Sequence, residues 1–195
     1  MNLWTRRDMC VMAGGALPLL VYGQNAANNS EQMSWSSVMT LVFDWMEKPF
    51  VQTAEAMPEA KFFWTPAPSL GAFQDVRNFS EQIVHVSQVN AALAGAMLGK
   101  DISKDPALTA PSEKGATRAA VLQYLYSSLA LARQACLSIN DSNARLPLKH
   151  PLMDLTTTRV DLATVIIAHS FNHYGQMVEY LRMNNVVPPA SRSSQ

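Results

Sequence analysis

The stretch from Thr158 to Pro189, TRVDLATVIIAHSFNHYGQMVEYLRMNNVVPP, constrains the chain more than any other. Leu162, Val165, Ile166, His169, His173, Met177 and Tyr180 recur at helical spacing, while Arg159, Asp161 and Arg182 can turn outward. Thr158 suits the N-cap with Asp161 three residues on, and Asn184-Asn185 before Pro188-Pro189 suits the end. The spacing therefore predicts one long amphipathic helix with two histidines a turn apart. Their Cβ atoms would be about 6 Å from each other, within reach of one ion. An imidazole on or beside an apolar stripe loses its water and needs a partner. HxxxH is half a metal site, and it equally fits two core histidines bonded to ordinary acceptors. It is not the HExxH of zinc peptidases, because Ser170 stands where the general-base glutamate would be.

The rest of the chain supplies three more helices. Ser34 to Met57 has apolar residues at Trp35, Val38, Met39, Val42, Trp45, Met46, Phe50, Val51 and Ala54, with Pro49 either kinking the helix or starting a second segment. Pro58 to Asp75 is an aromatic and proline-rich connection, irregular, whose rings must pack. Asn78 and Glu81 form an N-cap pair opening a helix over Phe79 to about Leu98, apolar nearly all round and so internal. Its conspicuous polar members are His85 and Asn90. A lone histidine in such a helix is ordinarily a satisfied core residue. Gly99 to Ser112 reads as a crossing loop, and a third helix is expected from about Glu113 to Leu137. Its buried face would hold Ala119, Leu122, Leu125, Tyr126, Leu129, Ala132 and Cys136. Asn140 to Thr157 is a further connection that places His150 in an exposed loop. The helix over residues 158–189 then closes an all-α four-helix bundle.

Residues 1–27 read differently. Arg6-Arg7, an apolar run of about a dozen residues from Val11 to Tyr22, and a polar exit make a twin-arginine-type signal peptide, too short for a membrane span. The expected destination is outside the cytoplasm, periplasmic or extracellular, reached through the twin-arginine translocase. That route carries folded proteins, so a metal could be loaded before export.

Composition removes several function classes. Without Arg6, Arg7 and Asp8 the chain keeps 13 basic and 14 acidic side chains, which gives no electrostatic reason to bind nucleic acid. Cys136 is the one cysteine beyond the signal, and it reads as a small buried hydrophobe. There is no hairpin chemistry, glycine-rich phosphate loop, nucleophile elbow or CxxC pair.

Taken together, FSEQIVHVSQVN with its single histidine, HSFNHYGQMVEYLRMNNVVPP, and the preceding MPEAKFFWTPAP resemble the DinB-like superfamily of metal-binding four-helix bundles. The resemblance covers residues 28–195 and implies a bundle with long crossover connections. It also implies a divalent metal bound by three histidines, which match His85, His169 and His173. Relatives often have glycine after the last helix where this chain has Asn185, a residue that also tolerates the left-handed conformation.

Three neutral imidazoles on one ion leave a position for water, a thiol or a substrate. Zinc, nickel and iron all accept such ligands. Asn90, Asn172 and Gln176 are placed to orient ligands through hydrogen bonds. No acid or base stands beside the histidines, so no catalytic residue is assigned. Two readings follow: a metal-dependent transferase or hydrolase acting on a small molecule, or a non-catalytic bundle that the metal stabilises or that binds a ligand. A homodimer through a helical face remains compatible with both.

Overall fold

The computed structural model describes residues 32–112 and 116–192. The segment 1–27 expected to be a signal peptide lies outside the described residues.

Four helices account for most of the described chain: α1 (Trp35–Ala56), α2 (Phe79–Leu98), α3 (Arg118–Leu137) and α4 (Arg159–Met183). Their starts are set by local chemistry. The side chains of Ser34, Asn78, Thr117 and Thr158 each accept an amide N–H of the first turn. In α2 and α4 the exchange is reciprocal. Glu81 N–H donates to Asn78 Oδ1 at 2.9 Å while Asn78 N–H donates to Glu81 Oε2 at 2.7 Å, and Thr158 and Asp161 repeat the pattern. Gly99 ends α2 with φ 65°, and Asn185 follows α4 with φ 59°. Val186 N–H reaches back to Leu181 O and Asn185 N–H to Arg182 O, so asparagine closes the helix in the left-handed conformation that glycine usually provides.

Helix α2 packs against α3 and α4, and α1 packs against the same two. Helices α1 and α2 therefore face across a diagonal, and the connection between them, residues 57–78, is a crossover. Phe62 in that crossover is fully buried and meets the Phe79 ring edge-on at 5.8 Å, while Trp64 meets Tyr180 of α4 at 5.5 Å. The core between the helices is led by Phe43, Met46, Phe50, Ile83, Leu93, Leu125 and Ile166. Each side chain of this size contributes about 1.5–3 kcal/mol when withdrawn from water. Among the described residues no helix is long and apolar enough to cross a membrane.

Several expectations are corrected. Pro49 does not start a second segment, since α1 runs through it as one helix. The third helix begins at Arg118, capped by Thr117, later than the expected start near Glu113. Trp45, Tyr126 and Val165 sit at the margins of their stripes and face outward, Tyr126 because its hydroxyl donates to Glu55 Oε1 at 2.6 Å. The connection before α4 contains a minimal antiparallel pair, β1 (Leu148–Lys149) with β2 (Thr156–Thr157). His150, expected to be exposed, is buried at its centre, where its Nδ1 accepts the amides of Leu152 and Met153, both at 3.1 Å. Polar backbone in a short loop needs such a partner, and an imidazole that supplies two bonds is drawn inward. Cys136 is fully buried, and burial pushes its thiol up to about 11.

Candidate metal centre

The reciprocal cap that starts α2 fixes which of its residues look toward α4. Gln82 and His85 follow the cap at i, i+3 spacing and share one face. On α4, His169 and His173 share a face at i, i+4. Packing of α2 on α4 brings these faces together, 84 residues apart in the chain for His85 and His169.

The three imidazoles converge. Ring centroids are 5.0 Å apart for His85 and His169, 5.0 Å for His85 and His173, and 4.6 Å for His169 and His173. One nitrogen from each can be chosen so that all three lie within 4.8 Å of one another. The Nε2 atoms of His85 and His169 are 3.2 Å apart. Ligands at the tetrahedral angle on an ion with metal–nitrogen bonds of about 2.0–2.1 Å are themselves separated by roughly 3.3 Å. The spacing of this pair matches, although it also suits a hydrogen bond between neutral rings. His173 is buried, and the other two are half-buried.

The electrostatics favour neutral rings. Burial lowers all three pKa values from the ordinary histidine range. Arg77 adds to the lowering at each, and the imidazoles depress one another at His169 and His173. His173 is brought down to about 4. Near neutral pH each ring thus keeps a nitrogen lone pair, which is what a metal ligand must offer.

His173 also has its tautomer specified. Its Nδ1 contacts Gln82 Oε1, which can only accept, so Nδ1 carries the proton and Nε2 keeps the lone pair. The Gln82 amide then donates from Nε2 to Gln176 Oε1 at 3.2 Å, and Gln176 Nε2 donates to Asn172 Oδ1 at 2.8 Å. Donor and acceptor roles run in one direction along this line of amides. Asn172 and Gln176 are therefore connected to the His173 imidazole through Gln82, with no hydrogen bond of their own to it among the described residues. Sequence reasoning missed Gln82; the signal was a polar residue one turn before His85 on the same face of the helix. Asn90, fully buried, faces the Ser170 hydroxyl at 3.5 Å and has no imidazole as a hydrogen-bond partner. His169 Nδ1 is buried with no hydrogen-bond partner among the described residues.

A sequence profile of the DinB superfamily matches residues 43–177, more than half of the chain and inclusive of all three histidines. The chain belongs to the DinB superfamily. No curated protein matches it. Among the described residues His85, His169 and His173 are the group that could hold a metal ion in this DinB-superfamily bundle, and nitrogen donors without a competing carboxylate fit a first-row divalent metal.

Proposed function

We propose that this DinB-superfamily protein is an exported enzyme that holds a divalent metal through His85, His169 and His173 and acts on a small molecule as a transferase or hydrolase. The observation that supports this reading is the convergence of three neutral imidazoles from two helices on one point. A divalent ion held there supplies Lewis acidity to whatever small molecule, water or thiol takes the position that three protein ligands leave open.

The chain's own residues have separable tasks in this reading. Gln82 holds the His173 Nδ1 proton and so aims its Nε2, and Gln176 with Asn172 keeps the Gln82 amide from flipping. Asn90 and Ser170 brace α2 against α4 beside His169. The low imidazole pKa values keep protons from competing for the ligand nitrogens. Zinc, nickel and iron are all compatible with the donor set.

Elemental analysis of protein purified from its own producing cell tests this reading, compared with His85→Ala and His173→Ala. About one ion per chain in the wild type and loss of it in both variants is expected; substoichiometric metal, or full retention in both, contradicts it. Export is tested separately by replacing Arg6 and Arg7 with lysine, which should leave the unprocessed chain in the cytoplasm.

A second reading, a non-catalytic bundle in which the ion pins α2 to α4, is favoured by one observation. Among the described residues the charged groups that shift the imidazoles are one another and Arg77, and Glu81, the carboxylate in the cleft with His85, is engaged in capping α2. On this reading metal removal lowers the melting temperature while no thiol or other added ligand perturbs the bound ion. A perturbed ion spectrum on adding thiol favours the enzyme.

A further inference from the structure

Arg118, Arg133, Arg159, Arg182 and Arg192 each donate to a protein acceptor. Arg77 and Arg145 differ: among the described residues neither guanidinium has a hydrogen bond or an acidic partner, and of the two it is Arg77 that lines the cleft with His85. Its backbone is nevertheless held. The Arg77 carbonyl accepts the Tyr180 hydroxyl at 2.9 Å, and the segment turns into place through Asp75, which has a left-handed φ of 59°. A non-glycine residue in that conformation carries strain, so the surrounding structure specifies this turn.

The anchored backbone sets the side chain between two clefts. One, of about 390 Å³, is lined by both Arg77 and His85, with Phe63 and Gln88 among its other walls. The second, of about 520 Å³, is lined by Arg77 together with Gln82 and Gln176, the residues that lead to His173. Arg77 is the wall common to both. Acidic side chains of these clefts are partly committed elsewhere: Glu81 caps α2, and Glu179 pairs with Arg182 at 2.6 Å, which leaves Asp75 in the second cleft. In the cleft with His85, Arg77 is the sole cation among the described residues.

Three neutral imidazoles cancel none of the charge of a divalent ion, Arg77 adds another positive charge, and Glu81, which lines the same cleft as His85, offsets only one of these charges. An anion is the occupant that this balance favours. We propose that Arg77 is a substrate-binding residue and that the small molecule taken by this site bears a carboxylate, gripped by the guanidinium in the cleft that Arg77 shares with His85. The guanidinium fork matches a carboxylate in two parallel bonds. The α2 N-terminus, which would otherwise attract phosphate, is already closed by Asn78 and Glu81. The inference rests on the metal-centre reading for where the rest of the substrate lies.

Calorimetry on the full-length, metal-loaded protein tests it with acetate, succinate, succinamide and inorganic phosphate as probes, and with metal content measured on the same samples. Succinate or acetate should bind and succinamide should not. Arg77→Ala should weaken carboxylate binding by about 10-fold or more, the loss expected for a charge-assisted bond, with Arg77→Lys intermediate and metal content unchanged in both. Equal affinity in Arg77→Ala, tighter binding of phosphate than of carboxylate, or no binding of either carboxylate overturns the proposal. Absence of metal from the wild type sinks the metal-centre reading alone, since carboxylate binding and its dependence on Arg77 are still read in the same titration.

Discussion

In the connection before α4, His150 is buried by itself, and the amides of Leu152 and Met153 both point at its Nδ1. Between α2 and α4, three imidazoles face one another, and among the described residues only His173 is hydrogen-bonded outside the trio. The two regions bury the same side chain for different reasons. At His150 a nitrogen replaces a missing backbone acceptor, so the residue is part of the loop's own hydrogen bonding. In the trio a hydrogen bond between rings can join only two of the nitrogens that approach one another, whereas a shared cation would satisfy all three at once. A histidine's role is thus decided by what its nitrogens meet, and burial alone does not distinguish the cases.

The largest contrast is expected from removing the rings themselves. His169→Ala should weaken metal binding by more than about 100-fold, exceeding the 10–100-fold typical of losing an outer hydrogen bond. His150→Ala should leave it at the wild-type value. Competition with a chelator of known affinity measures both, and equal losses would erase the distinction between the two regions.

Stability should show the reverse pattern. In metal-free protein His150→Ala should lower the unfolding free energy by about 2 kcal/mol, because two loop amides lose their acceptor and the side chain leaves a void. Urea titration checks this, and an unchanged midpoint would mean the loop satisfies those amides in another way.

A smaller effect is expected at Gln82. Gln82→Leu keeps the volume but removes the acceptor for His173 Nδ1. Metal affinity should fall by about 10-fold with little change in helix content. If affinity is unaffected, the line of amides from Asn172 to Gln82 does not control the ligand.

The pH dependence is the gentlest probe. All three imidazoles titrate below the ordinary histidine value when folded, His173 near 4, so the unfolded chain binds more protons between about 6.5 and 4. Stability of the metal-free protein is therefore complete above about pH 6.5 and declines as the pH falls toward 4. Replacing His173 by leucine should flatten that decline, whereas a decline of unchanged steepness would place its origin elsewhere.

How much of this could be read from the sequence depended on how local the deciding interaction was. Asn78 with Glu81, and Thr158 with Asp161, act across three residues, so the starts of α2 and α4 were legible. The HxxxH pair is likewise a property of one helix. Joining His85 to it required the family resemblance, because nothing in α2 alone states which helix it will face. Gln82 stayed hidden since its partner His173 lies 91 residues away and glutamine has no periodic signature. His150 was misplaced because a residue between lysine and proline looks solvated until the two-residue β1–β2 pair folds over it. Trp45 and Tyr126 were assigned inward because apolar stripes on broad helical faces have poorly defined margins, where a residue one position off turns outward.

The central claim is that three imidazoles meet on one ion, and X-ray absorption at the metal edge of the loaded protein tests it most directly. The account predicts nitrogen neighbours at about 2.0–2.1 Å with the outer-shell scattering pattern of three imidazole rings, reduced to two in His85→Ala. A first shell with two imidazoles or fewer in the wild type, or one unaltered by His85→Ala, would contradict it.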